Sequence, residues 1–343
     1  MALLWIEGFE GFGETLNAAP SPAGIVGRKY SSVAFESSMK TTAGRISGKS
    51  LQMENTNCYF QKTLGSTDDT ITVGFAYMAG ALLTQGYGPT FYDGANAGMR
   101  LYFDTDGKIA VYRNVTRLAT STQSISAGVW YYIEFKVKTN DTTGTYELRV
   151  NETTWLSATS VDTQIGSNPY YTAWRWRNPY SFVTCLFDDA YICDGSGSIN
   201  NDFLGNRKVV ALRPSGAGDN TDWTPSAGDN YAAVDEVELD EDTTYVESST
   251  VTSDQDLYDY DALADVTNIQ GIQINTDVRV TDAQSYDLNS VIKSGSTTDE
   301  GSADTITATG YSTNTRVRET DPNTSAAWTL LNVNAAQFGI KAT

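Results

Sequence analysis

The sequence predicts an all-β protein made of two sandwiches in series, and three observations support that prediction. The 343 residues include 29 Gly and 20 Tyr but only 19% charged residues, a usage typical of strands and turns. Several segments alternate apolar and polar residues with a period of two, as half-buried strands do. Turn residues recur between these segments, and no stretch keeps the period of an amphipathic helix.

Residues 1–203 predict an N-terminal sandwich of jelly-roll type. The clearest strand is 70–78, whose apolar side chains alternate onto one face. The segments on either side of Asp-Thr-Asp-Gly at 104–107 predict a hairpin, because Asp and Gly accept the positive φ of such a turn. Strands are expected at 5–9, 50–53, 59–61, 70–78, 99–103, 108–112, 130–138, 145–150, 155–156, 174–177 and 182–193.

Residues 204–343 predict a second, smaller β-sandwich that starts with loops. A strand at 209–212 opens it, the Gly, Asp, Pro and Ser content of 215–230 predicts a loop, and 231–241 predicts a short helical turn. Strands are expected at 243–247, 256–260, 268–280, 286–293, 305–309, 315–319 and 338–341.

Negative charge is concentrated in the second half of the chain. The formal net charge is −19; residues 1–205 carry 19 acids and 15 bases, whereas residues 206–343 carry 23 acids and 8 bases. Neither half has the strongly basic composition that nucleic-acid or anionic-membrane binding requires, so neither partner is expected. The acidic half could keep the protein soluble or dock on a basic partner, and solubility is the simpler interpretation.

Several classes of chemistry are excluded by composition. The chain contains no histidine, which rules out Ser-His-Asp and Cys-His catalysis and histidine-ligated metals. The three cysteines match no zinc spacing and are expected to be buried apolar residues. Residues 1–15 lack the basic start of a signal peptide, and no apolar run reaches membrane-spanning length, so folding in the cytoplasm is expected.

Two sets of segments resemble known proteins. WYYIEFKV, TYELRVNETTWL and FDDAYICDGSG resemble strands of the concanavalin A-like, or laminin G-like, jelly roll. The chain also resembles, over nearly its whole length, a family of virion structural proteins of tailed bacteriophages. The segments that carry this resemblance are the junction NNDFLGNRKVVALRPSGAGDNTDWTPSAGDN, the segment DEVELDEDTTYV and the end DPNTSAAWTLLNVNAAQFGIK.

The resemblance implies a multi-copy virion component that is made in the host cytoplasm. Such a component would be a tail or neck appendage, a fibre-associated protein or a capsid decoration protein. Its partners would be other virion proteins and copies of itself, and cell-surface carbohydrate is a further expected contact. The motifs are structural, so the chain is predicted not to be an enzyme and to need no cofactor. The alternative is a stand-alone carbohydrate-binding module or a weak glycoside hydrolase.

A hydrolase would need carboxylates, and one segment approximates the required pattern. Some glucanases of this fold class carry E-x-D-x-E on one strand, which places three carboxylates on one face. Glu238, Asp240 and Asp242 come nearest, with Asp in place of the last Glu and outside the jelly-roll domain. A solvated acidic turn at 235–242 is the simpler interpretation.

Aromatic residues beside arginines are the best candidates for contacting a ligand or partner. Segment 86–94 contains aromatic residues, and segment 170–180 contains aromatic residues together with arginines; the candidates are Tyr87, Tyr92, Tyr170, Tyr171, Trp174, Arg175, Trp176 and Arg177. In the second segment the tryptophans alternate onto one face and the arginines onto the other. The tryptophans could instead fill the core while the arginines point outward. The first segment is Gly-rich and is predicted to be a loop.

Aspartates are the candidates for binding calcium. Asp188, Asp189 and Asp194 lie at the end of the last N-terminal strand, and Asp104 and Asp106 lie in the predicted hairpin turn. Short aspartates also commonly accept backbone hydrogen bonds at loops and strand ends. Hydrogen bonding is therefore the favoured interpretation for the first three, and turn formation for the other two.

Overall fold

The computed structural model describes residues 2–12, 28–34, 38–54, 58–180, 183–237, 239–248 and 253–343. The chain divides into two compact units, Met1–Val210 and Ala211–Thr343. The boundary predicted from the sequence lies after residue 203, seven residues before the end of the first unit. Both units consist mainly of antiparallel strands, so the predicted all-β class is confirmed.

The described part of the first unit contains strands β1 Leu3–Glu7, β2 Ser32–Ala34, β3 Met39–Ala43, β4 Lys49–Met53, β5 Tyr59–Thr63, β6 Thr70–Ala79, β7 Gly86–Asp93, β8 Asn96–Phe103, β9 Lys108–Arg113, β10 Thr116–Ser124, β11 Tyr131–Lys138, β12 Gly144–Val150, β13 Thr153–Val161, β14 Ala173–Arg177 and β15 Cys185–Asp194.

These strands form two antiparallel sheets that pack face to face. The first sheet has the order β13-β12-β11-β6-β15-β4-β3, and β1 also pairs with β15. The second has the order β10-β9-β8-β7-β14-β5-β2. Aromatic rings join their inner faces; the ring centroids of Phe75 and Trp174 lie 6.2 Å apart, and those of Tyr77 and Phe103 lie 4.9 Å apart. Each fully buried side chain of this size stabilises the fold by about 1.5–3 kcal/mol.

The predicted hairpin is confirmed between β8 and β9. Its turn closes with a 3.0 Å hydrogen bond from the Gly107 amide to the Asp104 carbonyl, and Gly107 has φ +77°. The Asp106 carboxylate accepts a bond from the Lys108 amide at 3.2 Å. These two aspartates therefore serve the turn, as the favoured interpretation held.

The segment predicted as a Gly-rich loop at 86–94 is a strand instead, β7. Its pairing with β8 shifts register between Tyr87 and Tyr92, which accommodates Gly88 and Pro89 within the sheet. A Cβ at Gly88 would lie 2.7 Å from Cε2 of Phe103, so this glycine makes room for a core ring. Gly86 and Gly88 therefore mark close packing within the strand, whereas Gly94, with φ +56°, lies in the turn that follows it.

The second unit contains strands β16 Pro214–Thr221, β17 Thr224–Pro225, β18 Val246–Glu247, β19 Gln255–Tyr260, β20 Ile272–Val278, β21 Tyr286–Ser294, β22 Thr297–Asp299, β23 Asp304–Ile306, β24 Ser312–Arg318 and β25 Gln337–Ala342, with a 3-10 turn at Tyr231–Ala233 and helix α1 at Leu330–Ala335.

A six-stranded sheet organises the second unit. Its order is β16-β19-β25-β21-β22, with β23 also on β21, and β17–β18 and β20–β24 form separate two-stranded ribbons. Ile292 and Phe338 lie opposite each other on β21 and β25 and share a buried cluster with Ile274 of β20 and Val333 of α1. The ribbon β20–β24 and the helix thus cover one face of this sheet.

Two predictions at the start of the second unit are wrong. Residues 209–212 form no strand, and the predicted loop at 215–230 begins with β16. Ala217 of β16 pairs with Tyr258 of β19, so backbone pairing with a neighbour outweighs the low strand propensity of Gly, Ser and Asp. An edge strand tolerates such residues.

The three cysteines, Cys58, Cys185 and Cys193, are buried free thiols. Within the described ranges, no helix is long and apolar enough to cross a membrane.

Candidate functional site

The outward face of the second sheet carries tyrosines and arginines. Their strand neighbours Phe60, Phe91, Leu101, Trp174 and Trp176 point into the core, so the alternation of each strand directs the remaining side chains outward. We call this set the tyrosine–arginine face, and its members are Tyr59, Gln61, Tyr87, Tyr92, Arg100, Tyr102, Tyr112, Arg117, Arg175 and Arg177.

Arg175 of β14 is held between two tyrosine rings. Its guanidinium carbon lies 3.9 Å from the ring centroid of Tyr59 and 4.2 Å from that of Tyr92. Nε and Nη2 donate to Oε1 of Gln61 at 3.0 and 2.8 Å, and Nη1 donates to the Tyr92 hydroxyl at 3.1 Å. These neutral contacts fix the plane of the guanidinium without neutralising its charge.

A second group surrounds Tyr87 of β7. Its ring centroid lies 5.1 Å from that of Tyr102 and 5.3 Å from that of Tyr112. The guanidinium carbon of Arg100 lies 4.2 Å from the Tyr87 centroid. Arg117 donates from Nε to the Tyr112 hydroxyl at 2.6 Å. Tyrosine rings that contact one another and two arginines form an ordered aromatic surface.

One row of paired residues connects the two groups across the whole sheet. In order of the strands it consists of Arg117, Tyr112, Arg100, Thr90, Arg175, Gln61 and Ser32. With neighbouring strands about 4.8 Å apart, this row is roughly 29 Å long. Its length suits an extended ligand better than a small compact one.

The structure distributes the predicted contact residues between the face and the core. Tyr87, Tyr92, Arg175 and Arg177 lie on the tyrosine–arginine face, and Tyr170 is half-buried. The remaining three residues are buried in the sandwich and cannot meet a partner at the surface; they are Tyr171, Trp174 and Trp176. Tyr171, for example, stacks on Phe91 with centroids 5.1 Å apart.

Sequence reasoning missed most of the face. Tyr59 and Gln61, and also Arg100, Tyr102 and Tyr112, lie in strands that were predicted correctly. Their polar and aromatic side chains occupy the outward positions of those strands, which is the signal that could have identified them. That the strands lie side by side in one sheet is not visible in the sequence, because the sheet order is not the chain order.

Protein groups satisfy the aspartates that were candidates for calcium. Asp188 accepts bonds from the amides of Arg45 and Asp189 at 2.7 and 2.8 Å. Asp189 accepts from the Arg45 side chain at 2.8 and 3.0 Å and from the Val209 amide at 2.8 Å. Asp194 accepts from the Ser66 hydroxyl at 2.7 Å and from the Ser196 amide at 2.9 Å.

The electrostatics of these aspartates follow from burial. Burial raises the pKa of Asp188 to about 7, and the neighbouring charge of Asp189 acts in the same direction. The described ranges contain no group of three or more acidic or cysteine side chains placed to hold a metal ion. The contacts of these three aspartates are hydrogen bonds to protein groups.

In the segment considered for glycoside hydrolysis, residues 239–242 form no strand. Glu238 lies outside the described residues. Asp240 accepts bonds from the amide and hydroxyl of Thr244 at 3.2 and 2.7 Å, and Asp242 pairs with Arg279 at 2.7 Å. Three carboxylates on one strand face would require a strand here, so the E-x-D-x-E interpretation fails.

No protein-family model and no curated protein matches the chain. Solved structures do. An endo-β-1,4-glucuronan lyase from the fungus Trichoderma reesei is 12% identical over 48% of this chain and 90% of its own, with a TM-score of 0.38. An alginate lyase is 13% identical over 55% and 95%, with a TM-score of 0.42. The binding domain of Paraclostridial Mosquitocidal Protein 1 is 13% identical over 56% and 48%, with a TM-score of 0.39.

One prediction is corrected by these similarities. The chain was predicted not to be an enzyme, yet polysaccharide lyases are among the solved structures similar to it. At 12–13% identity the similarity assigns no activity to this chain. The exclusion of an enzymatic role is therefore withdrawn.

Proposed function

We propose that the first unit binds carbohydrate through the tyrosine–arginine face. The observation that carries the proposal is the fixed arrangement around Arg175, which is ordered by two tyrosine rings and Gln61 on an outward sheet face. Tyrosine rings stack on the apolar faces of sugars, and arginine and amide groups hydrogen-bond sugar hydroxyls. The row of residues across the sheet would let several sugar units bind in sequence.

Pre-organisation supports this use of the face. In the free protein the guanidinium of Arg175 already contacts the rings of Tyr59 and Tyr92. The rings of Tyr87, Tyr102 and Tyr112 already contact one another. A ligand would then immobilise few side chains, and each side chain that must be ordered costs about 0.5–1.5 kcal/mol of affinity. A face whose side chains are already ordered can therefore bind sugar units that each contribute little binding free energy.

A glycan array probed with the full chain tests the proposal, followed by titration of the best ligand. Replacement of Tyr102 or Arg175 by Ala is expected to weaken binding about tenfold or more, because each removes a contact near the centre of the face. Arg279→Ala is the matched control, since Arg279 also lies over a tyrosine ring, that of Tyr311, but in the second unit.

Two results would count against the carbohydrate proposal. One is the absence of any bound glycan on the array. The other is a Tyr102→Ala variant that melts like the wild type and binds the selected glycan with unchanged affinity.

We also propose that the chain is a component of a tailed-bacteriophage virion. The support is the resemblance of the junction at 200–230 and of the C-terminal segment at 321–341 to virion structural proteins. Its partners would then be other virion proteins and copies of itself, and repeated copies would raise the avidity of weak carbohydrate contacts. Mass spectrometry and antibody labelling of purified particles test the proposal, and absence of the chain from particles would refute it.

A further inference from the structure

The sheet that carries the tyrosine–arginine face is cationic in an acidic protein. Its seven strands, β2, β5, β7, β8, β9, β10 and β14, contain seven basic residues and a single acid, Asp93. The strands of the opposite sheet contain five basic and six acidic residues. Asp93 is buried and accepts a bond from the Asn168 side chain. Acids outside these strands pair with three of the seven basic residues, namely Asp106 with Lys108, Asp162 with Arg113 and Asp104 with Arg117.

Arg100 is the clearest unsatisfied group of this sheet. The residue is only 9% exposed, and no described carboxylate forms an ion pair with it. Nη2 donates to the side-chain oxygen of Asn114 at 3.2 Å, whereas Nε has no hydrogen-bond partner among the described residues. A buried guanidinium without a counter-charge is costly, and an anion that reached it would remove that cost.

Nearby arginines add to the excess charge. Burial lowers the pKa of Arg100 below its ordinary value, and the positive charge of Arg177 acts in the same direction. Arg100 nevertheless stays protonated, as guanidinium groups do in proteins. Arg175 has only neutral partners among the described residues, namely Tyr59, Tyr92 and Gln61.

Arg100 and Arg175 are in line across the sheet. Both pair with Thr90 of the intervening strand β7. They are therefore two strands apart, or about 10 Å along the row. An extended ligand with negative charges repeated along its length would meet both guanidinium groups at once.

We propose that the ligand of the tyrosine–arginine face is a polyanionic polysaccharide whose carboxylate or sulfate groups are received by Arg100 and Arg175. This inference rests on the proposed carbohydrate binding and adds the class of glycan. Tyrosine rings would contact the sugar faces, and the two arginines would select for charge.

Matched pairs of polymers test the inference on the full chain. The first pair is a galacturonan oligosaccharide and its methyl ester, which share a backbone but differ in charge. The second pair is dextran sulfate and dextran, which separates sulfate from carboxylate recognition. We expect the charged member of at least one pair to bind about 10-fold to 100-fold more tightly, since bonds to charged groups are the stronger ones. This preference should fall as salt rises.

Variants assign the preference to the two arginines. Arg100→Gln and Arg175→Gln should each lose most of the preference for the charged polymer, and Arg100→Lys should recover only part of it because lysine lacks the planar fork. Arg279→Gln in the second unit is the control and should bind like the wild type. If Arg100→Gln does not fold, Arg175→Gln decides, because its side chain is only half-buried.

The possible failures are distinguishable. Equal binding of galacturonan and its ester, and of dextran sulfate and dextran, would overturn the inference and leave carbohydrate binding intact. Binding of single-stranded DNA as tight as that of the charged polysaccharides would also overturn it, because the face would then recognise charge alone. Absence of binding to any glycan would overturn the carbohydrate proposal itself.

Discussion

Some acidic residues of this protein are buried and accept several hydrogen bonds. Asp256 of β19 is fully buried and accepts bonds from the Trp223 amide and the Tyr258 hydroxyl, both at 2.9 Å. It also accepts a bond from the Asn230 side chain at 2.6 Å. One carboxylate thus satisfies three donors and joins the segments around Trp223 and Asn230 to strand β19.

Replacement of Asp256 by Ala is expected to lower the free energy of unfolding by about 2–3 kcal/mol, because buried donors lose their acceptor. Asp282→Ala is the matched control, since Asp282 also accepts a tyrosine hydroxyl bond, from Tyr286 at 2.9 Å, but at the surface. Urea unfolding measures both, and equal effects of the two substitutions would contradict the argument from burial.

The protonation of Asp188 makes stability depend on pH. Its pKa is raised to about 7 in the folded protein, chiefly by burial, from an unfolded value near 3.8. The folded state therefore retains a proton that the unfolded state releases. This contribution to stability is present below about pH 4 and is lost as the pH rises through about 7, by at most about 1.4 kcal/mol per pH unit.

Asp188→Asn should therefore lose less stability than the wild type between pH 5 and pH 8. Burial also raises the pKa of Glu10, to about 8. The dependence of stability on pH should therefore be weaker in Asp188→Asn than in the wild type, but not absent. Thermal unfolding at a series of pH values measures the slopes. Asp106→Asn, at an exposed turn, is the control and should keep the wild-type slope; a slope unchanged in Asp188→Asn would refute the assignment.

Among the elements, β6 and β15 form the centre of the first sheet, and their close approach depends on one glycine. Gly74 of β6 lies opposite Tyr191 of β15, and a Cβ at position 74 would lie 2.0 Å from Cε1 of that ring. The Tyr191 hydroxyl in turn donates to Glu134 and accepts from the Leu204 amide at 3.0 Å. The glycine thus positions a tyrosine that links two strands and the following segment.

Gly74→Ala is expected to destabilise the protein by about 1–3 kcal/mol, because the added methyl group must displace a buried ring. Gly11→Ala has no atom within 4 Å of the added Cβ and should be neutral or slightly stabilising. Denaturant midpoints of the two variants compare them directly, and a neutral Gly74→Ala would show that the ring can move freely.

For the whole molecule, the end of the first unit is set by contacts that follow the last strand. Gly205 donates from its amide to Glu134 at 2.8 Å, and Val209 donates to Asp189 at 2.8 Å. Arg45 donates to the Arg207 carbonyl at 2.7 Å. Residues 204–210 are thereby fastened to the first sheet through its buried charges, and the compact unit ends at Val210.

A fragment of residues 1–210 should therefore fold, and a fragment ending at residue 203 should be less stable by about 2 kcal/mol or more. The shorter fragment leaves Asp189 and Glu134 each without a buried donor, and every such loss costs about 1–3 kcal/mol. Thermal unfolding and circular dichroism compare them. Equal stability would show that the segment contributes no net free energy.

The sequence by itself determined the strand-rich class, the hairpin at 104–107 and most strands of the first unit, because alternation and turn residues are local properties. It also placed Arg175 and Trp174 on opposite faces of one strand. The sheet order, the strand nature of 86–93 and 214–221, and the meeting of Tyr59, Tyr92, Arg100 and Arg175 depended on tertiary pairing. Contacts between distant segments are set by which backbones share hydrogen bonds and which faces are buried, and these are properties of the folded chain alone.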